Sequence, residues 1–238
     1  MEIIINGAGG RMGRALRAIT ENPICVDAYV QEEGFYASLS DVKEQADCII
    51  DFSNHAGIFD LMAYAAEKNL PVVVCTTGHT EEEMAAIRAC AEKVPVFHSG
   101  NMSLGIAVLT QLVKTAVKMF PDADVEIVES HHNQKLDVPS GTALMLAKAV
   151  QAARPEATLL VGRHENGKRT KAEVGIHSLR MGNTVGIHEV IINTGTQLLT
   201  LKHEAQDRAL FADGAVAAAA FLVAQKPGLY TMDDLVKE

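Results

Sequence analysis

The sequence Glu2-Ile3-Ile4-Ile5-Asn6-Gly7-Ala8-Gly9-Gly10-Arg11-Met12-Gly13 decides the fold of the first part of the chain. A short apolar run ends in a cluster of glycines, and residues 11–22 after them are patterned as a helix. The spacing is G-x-G-G-x-x-G, one residue longer before the last glycine than the strict G-x-G-x-x-G fingerprint. Glycines at this point allow a tight turn and let a pyrophosphate approach the helix N-terminus. The loop therefore predicts dinucleotide binding, against the alternative of a purely structural turn.

Strand-like and helix-like segments alternate over the first hundred residues. Four further strands are predicted from apolar runs at residues 25–30, 47–52, 71–75 and 94–98. Helical patterns lie at residues 55–69 and 80–93, and the second opens on a Thr80-x-x-Glu83 capping box. Continuous apolar strands separated by helices are typical of a parallel sheet covered on both faces. The pattern predicts an α/β fold with a Rossmann-type, doubly wound parallel sheet.

The second half of the chain is organised differently. Helices are predicted at residues 103–120 and 141–153, with a strand at residues 125–129 between them. Turn residues then separate three strands that read as an antiparallel meander, at residues 172–180, 184–193 and 197–203. An Ala-rich helix covers residues 209–224. We therefore expect a dinucleotide-binding domain of residues 1–102, joined by the C-terminal segment 209–238. Residues 103–208 should form a second, α+β domain with an open mixed or antiparallel sheet.

Composition and charge exclude several classes of protein. The 238 residues are 48% hydrophobic and 21% charged, which is typical of a globular chain rather than a disordered one. The longest apolar run, Ala215–Ala224, is too short for a transmembrane helix, and no signal-peptide pattern opens the chain. The net charge of −9 disfavours nucleic acid, since the only basic cluster is residues 168–171. We expect a cytoplasmic protein with neither a membrane nor a nucleic-acid partner.

The end of the predicted second strand bears on the choice of cofactor. Gln31 and Glu32 lie where the adenosine ribose should be bound, and a carboxylate there can accept from the ribose hydroxyls of NAD. A 2′-phosphate prefers an arginine, and residues 18–42 contain neither Arg nor Lys. We therefore expect NADH to be preferred, or at least not disfavoured. Arg11 and Arg14 could still reach a phosphate, which leaves NADPH open.

Residues 129–143, ESHHNQKLDVPSGTA, form the most informative stretch. His131 can donate a proton near neutral pH, and Lys135 supplies positive charge or a second proton. Ser140 and the following Gly-Thr at a helix N-terminus offer amides and a hydroxyl to a carboxylate. Together they predict a pocket for a small anion that takes up a proton. The two histidines and Asp137 could instead ligate a metal, but adjacent histidines point apart on an extended chain and the lysine opposes a cation. We expect no metal.

These motifs together resemble the dihydrodipicolinate reductase family, now called 4-hydroxy-tetrahydrodipicolinate reductase, over nearly the whole chain. The most specific part is residues 129–143, with its His-His-x-x-Lys and Pro-Ser-Gly-Thr motifs. The other matching motifs are the glycine loop at 7–13, Thr76-Thr77-Gly78, Gly100-Asn101-Met102-Ser103, Arg180-x-Gly182-x-x-x-Gly186-x-His188-Glu189, Arg208-x-x-Phe211-Ala212-x-Gly214-Ala215 and residues 228–234. Departures from the common family pattern include Cys75 where a glycine is frequent, Val138 before Pro139, and Met181 after Arg180.

The resemblance implies a reaction and a set of roles. NADH or NADPH would reduce the cyclic imine formed from hydroxytetrahydrodipicolinate by loss of water, giving tetrahydrodipicolinate for lysine and diaminopimelate synthesis. By similarity, His131 would be the general acid and Lys135 the second proton donor. The two carboxylates of the small dicarboxylate substrate would be held by His132, Lys135, Gly141, Thr142 and Arg208. The cofactor contacts would be Gly7, Ala8, Gly9, Gly10, Arg11, Met12, Cys75, Thr76, Thr77, Ser99, Gly100, Asn101 and Met102. Family members are usually tetramers, so a homotetramer is expected, and residues 103–208 would be the substrate-binding and oligomerisation domain.

Two other functions remain open from the residues alone. A non-catalytic NAD(H) sensor would explain the glycine loop but not His131, Lys135 and the Ser140-Gly141-Thr142 anion site. A reductase with the same fold that acts on another small dicarboxylate or keto acid is disfavoured only by the family resemblance.

Overall fold

The computed structural model describes residues 1–30 and 32–237 of the chain. The chain divides into two compact units, one made of Met1–Leu104 with Ala209–Glu238 and the other of Gly105–Arg208. The strands of the first unit are β1 (Ile3–Asn6), β2 (Ile24–Val26), β3 (Phe35–Tyr36), β4 (Cys48–Asp51), β5 (Val72–Val74), β6 (Pro95–His98) and β12 (Gly228–Tyr230). Its helices are α1 (Arg11–Ile19), α2 (Ile58–Lys68), α3 (Glu81–Ala91), α6 (Ala209–Leu222) and α7 (Met232–Leu235).

The seven strands of the first unit form one parallel sheet in the order β12-β6-β5-β4-β1-β2-β3. The Rossmann-type sheet predicted from the alternation of strands and helices is confirmed. The two edge strands were not predicted, because β3 has two residues and β12 has three, too few to show a periodicity.

The register of the central strands sets where the functional loops lie. Asn6 pairs with Asp51, Asp51 with Val74, and Val74 with His98, so β1, β4, β5 and β6 end side by side. The loops that follow these strands therefore open at one edge of the sheet. In an open α/β sheet this carboxyl-terminal edge is where ligands bind.

The second strand is shorter than predicted. The expected span was residues 25–30, whereas β2 ends at Val26. The carboxylate of Asp27 explains the difference, because it accepts the backbone N–H of Tyr29 at 2.9 Å and of Val30 at 3.1 Å. These local bonds turn the chain out of the strand.

The Ala-rich helix α6 packs on the sheet of the first unit and against α1. A Cβ added at Gly214 would lie 1.7 Å from the carbonyl oxygen of Met102, so only glycine permits this approach. The buried face of the helix consists of small residues and one leucine: Ala212, Gly214, Ala215, Ala218, Ala219 and Leu222. The C-terminal segment thus contributes both a packed helix and an edge strand to the first unit.

The second unit contains a five-stranded mixed sheet in the order β11-β10-β7-β9-β8. Its elements are α4 (Leu104–Met119), β7 (Asp124–His131), α5 (Gly141–Ala153), β8 (Thr158–Val161), β9 (Glu173–Arg180), β10 (Gly186–Asn193) and β11 (Leu198–Ala205). The expected meander is only partly correct. Strands β10 and β11 pair antiparallel, but β9 pairs parallel with β7 and β8 rather than with β10.

Strand β7 takes the centre because it is buried along most of its length and pairs on both sides. Helices α4 and α5 contribute to one apolar core with the sheet, which includes Val113, Ile127, Leu146, Val150 and Val190. None of the helices within residues 1–30 and 32–237 is long and apolar enough to span a membrane.

Candidate active site

The glycine loop of the first unit is packed too closely for side chains. Gly7 has a φ of +84°, a conformation that L side chains rarely adopt. A Cβ added at Gly13 would lie 2.2 Å from the carbonyl oxygen of Gly7 and 2.6 Å from the backbone of Ala8. Among the described residues no side chain caps α1 at its N-cap, Gly10. The amides that a helix leaves unpaired at this end are therefore available to a phosphate. The cradle fits a pyrophosphate.

The buried carboxylate of Asp51 joins the ends of three neighbouring strands. One oxygen accepts from the amide of Asn6 at 2.8 Å and from the hydroxyl of Ser53 at 2.5 Å. The other accepts from the hydroxyl of Thr76 at 2.5 Å. A cavity of about 290 Å³ lies beside this group, lined by Phe52, Ser53, Asn54, His55, Cys75, Thr76 and Thr77. Three of the predicted cofactor residues, Cys75, Thr76 and Thr77, thus line one cavity.

The predicted Ser99–Met102 loop lies against the Thr76–Thr77 loop. A Cβ added at Gly100 would be 3.1 Å from the side chain of Thr77. Within the loop, the hydroxyl of Ser99 donates to the carbonyl of Asn101 at 2.8 Å and accepts the Asn101 amide at 3.2 Å. Met102 is buried. The structure therefore brings the two predicted loops together.

Two of the predicted cofactor contacts, Gln31 and Glu32, concern the adenosine end of the nucleotide. Gln31 lies outside the described residues. Glu32 is exposed and pairs with Arg17 at 3.3 Å. The carboxylate that reaches the glycine loop is instead that of Asp27, which accepts the Gly9 amide at 2.9 Å. Asp27 was not predicted as a site residue, because the predicted second strand ran past it.

In the second unit, His131 ends β7 and its ring is held by a buried carboxylate. Its Nδ1 lies 2.5 Å from Oε2 of Glu129, two residues earlier on the same face of the strand. Arg180, on the neighbouring strand β9, donates to both oxygens of Glu129 at 2.9 and 2.8 Å. The backbone N–H of Ser140 also donates to Glu129, at 3.2 Å. One carboxylate therefore links three elements of the site.

Ser140 forms the N-cap of α5, with Gly141 and Thr142 as its first helical residues. Its hydroxyl accepts the Ala143 amide at 3.2 Å and lies 3.1 Å from Nε2 of His188. The side chain of His188 packs edge-on against His131, with ring centroids 5.2 Å apart. The capped N-terminus and the histidine pair are thus parts of the same cluster.

Lys135 lies in the loop that follows β7, and its Nζ is 2.8 Å from Asp137. The loop is closed by a bond from the Lys135 amide to the carbonyl of His132 at 3.2 Å. Arg208 is exposed at the last position of the second unit, after β11, so its place in a substrate site stays a prediction. Within the described part of the chain, no group of three or more His, Cys, Asp or Glu residues could hold a metal ion.

Electrostatics set the charge states of the buried groups. Burial alone would raise the pKa of Glu129, but hydrogen bonds from Arg180, His131 and the Ser140 amide lower it to about 2. Burial lowers the pKa of His131, and the hydrogen bond to Glu129 opposes this. Burial and the nearby His131 lower the pKa of His188 to about 4. At neutral pH Glu129 is therefore an anion and His188 is neutral.

The fold and the glycine loop define the class of this chain as a Rossmann-type dinucleotide-binding protein. The family profile described as dihydrodipicolinate reductase, N-terminus, matches residues 1–102, and the profile for the C-terminus of the same family matches residues 105–236. The chain therefore belongs to the dihydrodipicolinate reductase family, pyridine nucleotide-dependent reductases of lysine and diaminopimelate biosynthesis. The resemblance inferred from the sequence motifs is confirmed.

Individual relatives agree with this assignment. A 4-hydroxy-tetrahydrodipicolinate reductase of Caldanaerobacter subterraneus subsp. tengcongensis is 46% identical over 248 aligned residues, covering 100% of this chain and 99% of that protein. The enzyme of the same name from Akkermansia muciniphila is 40% identical and covers 99% and 98%. The dipicolinate-bound dihydrodipicolinate reductase of Paenisporosarcina sp. TG-14 has the same fold, with a TM-score of 0.83 and 24% identity over 100% of this chain and 99% of that one.

Proposed function

We propose that this chain catalyses the NAD(P)H-dependent reduction of 4-hydroxy-tetrahydrodipicolinate, through its dehydrated imine, to tetrahydrodipicolinate. The observation that carries the proposal is the cluster in the second unit, where an anchored histidine, a lysine and a helix N-terminus occur within residues 131–142. A dicarboxylate that accepts a hydride needs a proton donor and partners for two negative charges, and this segment contains both. Curated relatives named for this reaction support the choice of substrate.

The first unit supplies the nucleotide site in this proposal. The amides at the N-terminus of α1 bind the pyrophosphate, and the loops at Cys75–Thr77 and Ser99–Met102 hold the part of the nucleotide beyond it. The reduced nicotinamide supplies a hydride when bound. Asp51 keeps the hydroxyl of Thr76 in a fixed direction at the cavity.

The second unit supplies the proton. Negative charge develops along the conjugated ring as hydride arrives, and His131 in its protonated form neutralises it. Burial lowers the pKa of this histidine in the free protein. The two carboxylates of a bound substrate raise that pKa again, because opposite charges favour the cation. Lys135 acts as the second proton donor and as a partner of a substrate carboxylate.

The substrate carboxylates are held by groups of one loop and the helix that follows it. The N-terminal amides of α5 at Gly141 and Thr142 carry the positive end of the helix dipole. Lys135 and His132 precede this helix in the same loop, and Ser140 caps it. Arg208 completes the proposed set. Domain roles follow from this division, with residues 1–102 and 209–238 binding nucleotide and residues 103–208 binding substrate.

We further propose that NADH is preferred over NADPH and that the chain forms a homotetramer. Glu32 offers a negative charge to a 2′-phosphate, although its pairing with Arg17 reduces the repulsion. For assembly, the sheet of the second unit exposes the apolar side chains of Leu179, Leu198 and Leu199. A lower Michaelis constant for NADPH would contradict the first proposal, and a monomeric mass by light scattering would contradict the second.

A coupled assay tests the reaction itself. Pyruvate, aspartate semialdehyde and a purified synthase generate the substrate in place, and the oxidation of NADH or NADPH is followed by absorbance with this protein added. We expect rapid oxidation that depends on the synthase. No oxidation with either nucleotide, in folded protein that still binds NADH, would overturn the proposal and favour a sensor or a reductase of another substrate.

A further inference from the structure

The carboxylate of Glu129 is fully buried and every contact described for it lies inside the second unit. Its Oε2 contacts Nδ1 of His131 at 2.5 Å, and its Oε1 accepts the Ser140 amide at 3.2 Å. Arg180 donates one N–H to each oxygen, in the paired geometry that guanidinium and carboxylate favour. The carboxylate thus connects the histidine, the N-terminus of α5 and strand β9.

The charge on this carboxylate decides which nitrogen of His131 carries the proton. Glu129 stays ionised, since hydrogen bonds hold its pKa at about 2 despite burial. An ionised carboxylate only accepts hydrogen bonds. Nδ1 of His131 must therefore donate, and in the neutral ring Nε2 is the bare nitrogen.

The space beside Nε2 supports its assignment as the reacting atom. A Cβ added at Gly186 would lie 3.1 Å from Nε2 of His131. A larger residue at this position would crowd the nitrogen, whereas glycine leaves it accessible. The side chain of His131 retains a small exposed fraction of 10%, while Glu129 on its other side has none.

We propose that Glu129 and Arg180 are positioning residues, which fix the tautomer and the proton affinity of His131 and tie it to the anion-binding N-terminus of α5. The inference rests on the proposed function for the role of His131 as an acid, whereas the tautomer of His131 follows from its contact with the ionised carboxylate of Glu129. Arg180 is further held by the carbonyl of Asp137, at 2.7 Å, which ties the Lys135 loop to the same group.

The charged groups around His131 act in opposite directions. Glu129, on the same strand, favours the imidazolium, whereas Lys135 in the following loop and Arg180 on β9 disfavour it. His188 on β10 faces the ring and stays neutral at the pH of the assay. Removing Glu129 therefore removes the one group in this set that favours the protonated acid.

The first test is the variant Glu129→Gln, which keeps the shape of the side chain and removes its charge. We expect kcat at pH 7.5 to fall about 10-fold to 100-fold, with the KM for nucleotide unchanged. The decline of kcat with rising pH should move to lower pH, because the acid of the variant loses its proton earlier. Glu129→Asp, which keeps the charge, should restore part of the pH profile.

A matched control lies on the same strand. Glu126 contacts Nε2 of His177 on β9 at 2.9 Å and pairs with Arg169 in the loop before β9, so it also forms a carboxylate–histidine–arginine group. Glu126→Gln removes an equivalent charge away from the proposed acid. It should leave the pH profile of kcat as in the wild type. If the pH profile of kcat moved equally in Glu129→Gln and Glu126→Gln, the proposal would be overturned, since a general change in charge would then explain the shift.

The second test does not depend on activity, and its main readout is taken on the wild-type protein. Long-range proton–nitrogen NMR spectra of the wild-type protein, assigned with His131→Gln, report which ring nitrogen is protonated. We expect neutral His131 to carry its proton on Nδ1, and folded Glu129→Gln to titrate at lower pH. A proton on Nε2 in the wild type, or an unchanged titration in the variant, would overturn the proposal. A wild-type protein that shows the Nδ1 tautomer but does not reduce the substrate would refute the proposed function alone.

Discussion

Gly13→Ala is the substitution that most sharply tests the nucleotide loop. The added Cβ would lie 2.2 Å from the Gly7 oxygen, more than 1 Å inside the optimal separation of about 3.5 Å. The atoms that the added Cβ would meet belong to the backbone of Gly7 and Ala8. They cannot rotate away as the end of a side chain could. The loop must move, at a cost of about 1–3 kcal/mol in stability, the usual cost of overpacking.

The same movement should weaken nucleotide binding. Displacing the loop changes the distance between its amides and a phosphate, and we expect the Kd for NADH to rise about 10-fold or more, or about 1.4 kcal/mol. Isothermal titration measures the Kd, and thermal melting should show a Tm lower by several degrees. Gly57→Ala is the control, because an added Cβ there meets no described atom within 4 Å. A variant Gly13→Ala with wild-type Kd and Tm would refute the account of the loop.

Four further predictions concern single residues of the two sites. His131→Ala should lower kcat about 100-fold or more with a smaller change in substrate KM, and an unchanged kcat in steady-state assays would remove it from the role of acid. Lys135→Ala should lower kcat and raise the substrate KM together, so kinetics with both parameters unchanged would contradict its assignment. Thr76→Val removes the hydroxyl that donates to Asp51 at 2.5 Å, and titration should show a weaker Kd for nucleotide; equal binding would show that this bond does not shape the site. Burial lowers the pKa of His188 from 6.5 to about 4. Because the unfolded chain then binds the proton more readily than the folded one, the free energy of unfolding should fall by about 3 kcal/mol as the pH drops from 6.5 to 4. Urea unfolding across this pH range should show that the free energy of unfolding falls less steeply in His188→Phe than in the wild type. An equally steep fall in both proteins would refute the reasoning.

The sequence was sufficient to predict the parallel sheet. Each buried central strand is a continuous apolar run, and the apolar residues of each helix recur at helical spacing. It was not sufficient for the pairing of β9, since its neighbours are chosen by contacts distant in sequence. A strand that follows a long loop can pair with either side of a sheet. The prediction of β2 was too long because the carboxylate of Asp27 competes with the strand for backbone N–H groups.

The candidate site was predictable to a similar degree. His131 and Lys135 are identified by their spacing and by the family resemblance, and their proximity follows from the short loop. The groups that hold His131, namely Glu129 and Arg180, were given no role from the sequence. The role of Glu129 could have been found, because it stands two residues before His131 and so shares its face of the strand. The contribution of Arg180 could not be predicted, because it depends on β9 lying beside β7.

The most direct test of the proposed reaction is to trace the transferred hydride with an isotope label. The protein would be mixed with substrate generated by the synthase and with NADH that carries deuterium at the transferable position of the nicotinamide, and the product would be analysed by mass spectrometry. The account predicts tetrahydrodipicolinate that carries the deuterium, formed by the wild type and greatly reduced with His131→Ala. A product without deuterium, or no tetrahydrodipicolinate from wild-type protein that binds both ligands, would contradict it.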